Sequence, residues 1–185
     1  MRTTTTKNLA LAAMFVAIGL MLPFLTGQIP QFGNMMLPMH IPVFLCCLIC
    51  GWRYGTLAGF ILPPLRYLVF GMPVLYPVGI AMAFELAAYG LIAGLLYERS
   101  RRQGVSAIYI AMVTSMIGGR IVWATAQVVL LSMGGNTFTW QMFIAGAFLN
   151  AIPGIIIQLT LIPAIMVALN SLGLVRFQTA KNGKR

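Results

Sequence analysis

The sequence predicts an all-α membrane protein, a bundle of six transmembrane helices whose N and C termini both lie in the cytoplasm. Of its 185 residues, 60% are apolar and only 8% are charged, whereas a soluble domain carries about 25% charged residues. A soluble domain this small would leave much of that apolar surface in water, so lipid must cover it. The apolar runs are long and lack the alternation typical of a membrane β-barrel. We therefore expect a multi-pass protein of the cell membrane.

The individual spans follow from the apolar runs and from the residues that interrupt them. We expect one integral membrane domain over residues 1–185, with helices at about 7–25, 39–51, 55–70, 78–97, 105–133 and 140–174. The first follows a basic N-terminus but has no small-residue cleavage site after it, so we interpret it as a retained span. The second is short and ends at a basic, aromatic turn. The third contains Pro63 and Pro64.

The connections differ in composition. Glycine and proline residues break the chain at 26–38 and again at 71–77, and a charged turn follows the fourth span at 98–104. The first connection is unusually apolar for a loop, because it includes Ile29 and Phe32 beside several methionines. Exposed to water, such a loop would form an uncommon apolar patch. We expect it to fold back over the bundle as a candidate lid.

The basic residues predict the orientation. With the N-terminus inside, the inner segments hold ten of them: Arg2, Lys7, Arg53, Arg99, Arg101, Arg102, Arg176, Lys181, Lys184 and Arg185. The outer loops hold no Lys or Arg. Cytoplasmic loops of membrane proteins carry such an excess, so we expect both termini inside and an even number of spans. The positive charge is thus interpreted as an orientation signal, and we expect no nucleic-acid partner.

Four polar residues inside the spans form the candidate site. Arg66, Arg120 and Glu85 are the ions within apolar helices, and His40 begins the second span. An intramembrane ion is costly without a partner and usually marks function. Arg66 lies about 20 Å from the inner turn at helical rise, and the other three also fall in the outer half. Asn150 reaches a similar level, which predicts a polar cavity open to the outside.

Several side chains complete this hypothesis, and others argue for a plainer one. Tyr67, Trp123 and Tyr89 would supply flat surfaces for a ring. A buried pair of Glu85 with Arg66 or with Arg120 would merely fix the helices, and the sequence leaves the choice open. Either pairing leaves one arginine over, which a ligand carboxylate or phosphate would neutralise.

Metal chemistry is a weaker interpretation of the sequence. Met35, Met36, Met39 and His40 would suit a metal or haem iron, but thirteen methionines in the chain favour apolar contacts of the lid. The three cysteines, Cys46, Cys47 and Cys50, are best interpreted as small apolar filler. We expect no metal site, no cofactor in this chain and no catalytic residue.

Small residues spaced four apart predict close helix contacts. Ala13 and Ala17 form one such face on the first span. Gly51, Gly55 and Gly59 form another, and Gly90 and Gly94 a third. Such faces let helices approach closely, either within the bundle or against a second membrane protein. The chain has no nucleotide-binding or hydrolase motif, so it has no evident means to pump a solute that it binds.

Across nearly its whole length the chain resembles the substrate-binding S components of energy-coupling factor (ECF) vitamin transporters. The resemblance lies in the six spans, the alanine face at 13–17, the segments 37–43 and 51–55, Gly118 to Trp123 and the segment at 150–154. It implies tight binding of one small nutrient near the outer face, under the loop between the first two spans. It also implies docking through Ala13 and Ala17 onto a transmembrane coupling protein, with two cytoplasmic ATPases that use ATP.

The candidate substrate-binding set is Arg66, Glu85, Arg120, His40, Asn150, Tyr67, Trp123 and Met36. The surplus positive charge favours a carboxylate-bearing vitamin such as pantothenate or folate, and the methionines and histidine keep cobalamin or haem as an alternative. Two other classes remain as rivals. One is an intramembrane enzyme with Glu85 and His40 as acid and base, and the other is a membrane adaptor without a ligand.

Overall fold

The computed structural model describes residues 5–25, 38–135, 139, 141, 151–175 and 177, and the regular structure in these ranges is entirely helical. Six α-helices are present there: α1 Thr5–Leu25, α2 His40–Cys50, α3 Trp52–Phe70, α4 Ile80–Arg99, α5 Val105–Met133 and α6 Ile152–Ser171. A π-helical turn, Leu75–Gly79, leads into α4. Residues 26–37, which form most of the segment predicted as a lid, are not among the described residues.

Four of these helices are long and apolar enough to cross a membrane: α1, α4 with its preceding turn, α5 and α6. Helix α2 has 11 residues and is about 16 Å long, roughly half the hydrocarbon thickness of a bilayer. Helix α3 has 19 residues but carries Arg53 and Arg66, which lower its hydropathy. The described residues therefore give an all-helical, multi-span architecture, and the count of six crossings stays a prediction.

Large apolar side chains cover the outside of the bundle. Examples are Leu68, which is 77% exposed, and Ile117 and Ile121, which are both 62% exposed. They lie on α3 and α5 beside residues that point inward, so the exposed side chains form stripes along the helices. Lipid covers such stripes, and this explains how a chain with so few charges tolerates them.

Glycines bring α3 and α4 into direct backbone contact. A Cβ added at Gly90 would collide with the backbone of Gly55, and one at Gly94 would lie 2.5 Å from the Cα of Trp52. Gly59 meets the backbone of Leu86 in the same way. Residues later in α3 contact residues earlier in α4, so the two helices are antiparallel. The second and third small faces of the sequence thus pack against each other inside the bundle.

The interface of α4 with α5 is built on the same principle. Gly119 contacts the ring of Tyr89, and a Cβ at Gly118 would lie 2.5 Å from the Cδ1 of Ile92. These contacts again run antiparallel. They fix the rotation of α5 so that Arg120, the next residue, faces α4.

The other acid of the chain, Glu98, stabilises the turn between α2 and α3. Its Oε1 accepts a hydrogen bond from the backbone N–H of Trp52 at 3.3 Å, at the start of α3. Gly51, which precedes Trp52, has φ at +100°, and a Cβ on Gly51 would lie 2.5 Å from the Oε1 of Glu98. A carboxylate at a helix N-terminus is favourable because it satisfies an orphan N–H and opposes the helix dipole. Glu98 therefore has a structural role far from Arg66, which lies near the other end of α3.

Candidate functional site

Glu85 forms an ion pair with Arg120 in the interior of the bundle. The Nη1 of Arg120 lies 2.8 Å from the Oε1 of Glu85, and the two side chains are 12% and 2% exposed. The antiparallel contact of α4 with α5 brings them together. Of the two pairings that the sequence left open for Glu85, the structure contains the one with Arg120.

Tyr89 extends this pair toward α2. Its hydroxyl donates a hydrogen bond of 2.8 Å to the same Oε1 of Glu85, one helical turn away. Its ring stacks on Phe44, with centroids 5.3 Å apart, and is tilted against His40 at the same distance. Glu85, Tyr89 and His40 are all at most 2% exposed. Together with Arg120 they form a polar cluster that joins α2, α4 and α5.

Arg66 is surrounded differently. Its Nη1 contacts the Sδ of Met39 at 3.5 Å, and a thioether sulfur is only a weak acceptor. Its Nε is buried and has no hydrogen-bond partner among the described residues. Within the same ranges the only carboxylate inside the bundle, Glu85, is already paired with Arg120. Arg66 is therefore a half-buried cation without a counter-ion in the part of the chain that the structure describes.

The start of α2 connects the two arginines. Met39, which contacts Arg66, is followed by His40, which contacts Tyr89. Continuing the register of α3 against α4 places the backbone of Arg66 about 9 Å nearer the end of α3 than the level of Glu85. Arg66 thus lies beyond the Glu85 pair along the bundle, about two helical turns from the shared level that the sequence predicted, and the outer location of both stays a prediction.

The first turn of α2 adds to the positive potential around Arg66. Met39 is the N-cap of this helix and makes no side-chain capping hydrogen bond. The first N–H groups of a helix lack helical partners and carry the positive end of its dipole. A guanidinium beside that end is unfavourable unless an anion lies between them. The local electrostatics therefore favour a bound anion.

The remaining predicted site residues fall into two groups. Tyr67 and Trp123 are half-buried; Tyr67 directly follows Arg66, and Trp123 lies three residues after Arg120, on the same helix side. Asn150 and Met36 lie outside the described residues, as does most of the predicted lid. For these last positions the sequence hypothesis stays a prediction.

Two further polar residues, both glutamines, are buried on α5 and α6. Gln127 on α5 is 6% exposed and Gln158 on α6 is 1% exposed. The Oε1 of Gln127 and the Nε2 of Gln158 have no hydrogen-bond partner in the described ranges. The sequence analysis did not single out Gln158. A lone amide within the apolar run at 155–157 and 159 was the available signal.

Comparison with known proteins identifies the family. A family model described as "ECF transporter, substrate-specific component" matches residues 7–166. The chain belongs to this family. No curated protein and no solved structure gave a match. As an S component, the chain is a substrate-specific membrane subunit of an ECF transporter, a transport protein rather than an enzyme. The family works with a coupling module that contains a membrane protein and ATPases, and with a small-molecule substrate.

One further surface of this S component is placed by the structure. Ala12, Phe15 and Gly19 form the buried stripe of α1, and Gly19 contacts Leu62 of α3. Ala13 and Ala17 lie on the opposite, exposed side of the helix. The alanine face of α1 is therefore open, unlike the glycine faces of α3 and α4.

Proposed function

We propose that this S component captures a small, water-soluble carboxylate, of the pantothenate or folate type, at the outer end of its bundle. Arg66 and the start of α2 would hold the carboxylate. The observation that carries the proposal is the guanidinium of Arg66, which contacts the side chain of Met39 and has no carboxylate partner among the described residues, where Met39 begins α2 without a side-chain cap. Two sources of positive potential at one point are costly unless an anion joins them.

The Glu85 pair has a supporting role in this proposal. Arg120 and Glu85 neutralise each other, and Tyr89 donates to the same carboxylate. The pair holds Tyr89 against His40, so that their rings would form the floor beneath the solute. Tyr67 and Trp123 would contact its apolar part. Asn150 and Met36 belong to the same proposed set by sequence.

Import would need the partners of the family. We propose that the exposed Ala13 and Ala17 dock onto the transmembrane coupling protein, because small residues let backbones approach closely. Two cytoplasmic ATPases would then drive release of the solute inside by using ATP. The proposal includes six crossings with both termini inside, on the distribution of Lys and Arg.

The rival functions have less support. Glu85 is engaged by Arg120 and Tyr89 and is thus poorly placed as a general base with His40. For cobalamin or haem, the sulfur of Met39 would have to leave Arg66.

Isothermal titration of the detergent-solubilised protein with pantothenate and folate tests the proposal. We expect one of them to bind, and Arg66→Leu to weaken that binding about 100-fold, since a charge-assisted contact is lost. Arg53→Leu, at the exposed inner turn, is the matched control and should bind as the wild type does. Equal affinity in Arg66→Leu, or loss in both variants alike, would contradict the role of Arg66.

A further inference from the structure

Polar side chains line the inward faces of α5 and α6 beyond the pair of Glu85 and Arg120. On α6, the buried residues Gly154, Gln158, Ile162 and Met166 recur every four positions and form one inward stripe. Ile162 and Met166 belong to the main apolar core, and Gln158 continues the stripe one turn closer to the start of the helix. The amide of Gln158 therefore points into the bundle and not at lipid.

The outer half of α5 has a matching face. Gln127 follows Arg120 by two turns, so the two lie on one side of the helix. It is buried, and α5 and α6 are in contact. In the predicted orientation α5 ends and α6 begins on the outer side. Gln127 and Gln158 are then each about 9 Å from these helix ends.

The unpartnered atoms of the two amides are chemically complementary. Gln127 offers an acceptor, its Oε1, and Gln158 offers a donor, its Nε2. In an apolar helix bundle an unsatisfied amide is destabilising, and it is tolerated when a ligand completes its hydrogen bonds. One ligand group that both donates and accepts, such as an amide, a ureido group or a hydroxyl, would satisfy the two atoms together.

We infer that Gln127 and Gln158 form a neutral hydrogen-bonding subsite that selects solutes carrying an amide, ureido or hydroxyl group in addition to their carboxylate. The inference rests on the proposed function, in which Arg66 binds the carboxylate. Two places would then bind different parts of the solute. Its carboxylate would bind at α3 and the start of α2, and its neutral polar group would bind between α5 and α6.

A binding panel of small acids tests the subsite. Pantothenate, folate and biotin carry an amide or ureido group, whereas lipoate and octanoate carry none; biotin and lipoate share the same pentanoate arm. We expect the tightest of the first three to bind at least about tenfold better than either of the last two. Lipoate or octanoate binding as tightly as the best amide-bearing acid would overturn the inference.

Substitutions assign the preference to the glutamines. Gln158→Leu and Gln127→Leu should each weaken binding of the preferred acid about tenfold. The thermal unfolding midpoint of the empty protein should stay unchanged or rise, because an unpartnered amide is removed. Gln158→Met, closer in shape, guards against a folding defect, and Thr160→Val on the exposed side of α6 is the control. Unchanged affinity in both leucine variants would overturn the subsite.

The same panel separates this inference from the proposed function. Arg66→Leu should lose all acids alike, whereas the glutamine variants should lose only those with the neutral polar group. If the wild type binds none of the acids, the proposed function fails and the subsite fails with it. If Arg66→Leu behaves as expected but the glutamine variants weaken lipoate and biotin equally, the subsite alone fails.

Discussion

The sequence predicts a similar membrane depth for Arg66 and Arg120, but their surroundings in the structure differ. Arg120 reaches the carboxylate of Glu85 at 2.8 Å, and Arg66 reaches only the sulfur of Met39. Burial makes this difference consequential, because a paired ion is tolerated in the interior and an unpaired one calls for a ligand. Arg120 therefore stabilises the bundle, and Arg66 is the proposed anchor for a solute.

The pair of Glu85 and Arg120 gives a stability prediction. Glu85→Leu leaves the Arg120 guanidinium buried without its partner and should lower the free energy of unfolding by about 3–5 kcal/mol. The double variant Glu85→Leu with Arg120→Leu should recover most of that loss, since no charge is then left unpaired. Thermal unfolding of the purified variants in detergent measures both effects. A double variant no more stable than Glu85→Leu alone would contradict the pairing.

At this scale the sequence predicted the surplus positive charge but could not choose the paired arginine. Counting two arginines against one glutamate needs only composition, whereas the choice depends on the rotation of three helices about their axes. Gly119 sets that rotation for α5, because the absence of a Cβ leaves room for the ring of Tyr89 next to Arg120. Gln158 was missed for the same reason, since a lone amide in an apolar run does not reveal which way it faces.

Among the elements, α3 and α4 are in direct backbone contact. Gly90→Ala would place a methyl group against the backbone of Gly55, which cannot move aside as a side chain would. We expect it to lower the free energy of unfolding by about 1–3 kcal/mol through overpacking. Gly104→Ala is the control, because a Cβ there meets nothing within 4 Å. Equal unfolding midpoints for the two variants would show that the helices are not in backbone contact.

The open face of α1 gives a prediction about assembly. Ala13→Leu with Ala17→Leu should prevent co-purification with the coupling protein and its ATPases, because bulky side chains block close approach. Solute binding by the isolated S component should not change. Ala164→Leu with Ala168→Leu is a matched control, since these alanines also lie four apart on an exposed helix side. Co-purification undiminished by the first pair, or lost equally with the second, would refute the assignment.

Apolar runs predicted the helices well where the bilayer sets their length. For the first five, the predicted ends differ from the observed ends by at most three residues, and α5 has both ends as expected, Val105 and Met133. The ends of helix α2 also agree with the prediction, but its length is not the one that a bilayer requires, because 11 residues span only about half the hydrocarbon core. The last predicted segment, 140–174, contains α6, Ile152–Ser171, and its earlier part lies mostly outside the described residues, at 140 and 142–150.

The distribution of charge concerns the whole molecule. Cys46, Cys47 and Cys50 are buried, so we expect a thiol reagent to leave them unlabelled. A single cysteine introduced into a loop of the otherwise unchanged protein then shows on which side of the membrane that loop lies. A membrane-impermeant thiol reagent should label Thr139→Cys in intact cells, and Gly104→Cys only after permeabilisation, because the basic segments stay inside. Labelling of Gly104→Cys in intact cells would reverse the orientation and place Arg66 at the inner side.

Capture of a solute and its transport are separate tasks for this molecule. The described residues supply a polar site within an apolar bundle and an exposed alanine face on α1. Energy must come from ATPases in the assembled transporter, as the family implies. The isolated chain should therefore hold its solute without moving it.

The most direct measurement is native mass spectrometry of the protein purified gently from its membrane. We expect the wild type to carry one small acid per chain, and Arg66→Leu, with an unchanged unfolding midpoint, to carry none. A wild type that carries only lipid, or an Arg66→Leu variant that retains the same acid at the same occupancy, would contradict anion capture at Arg66.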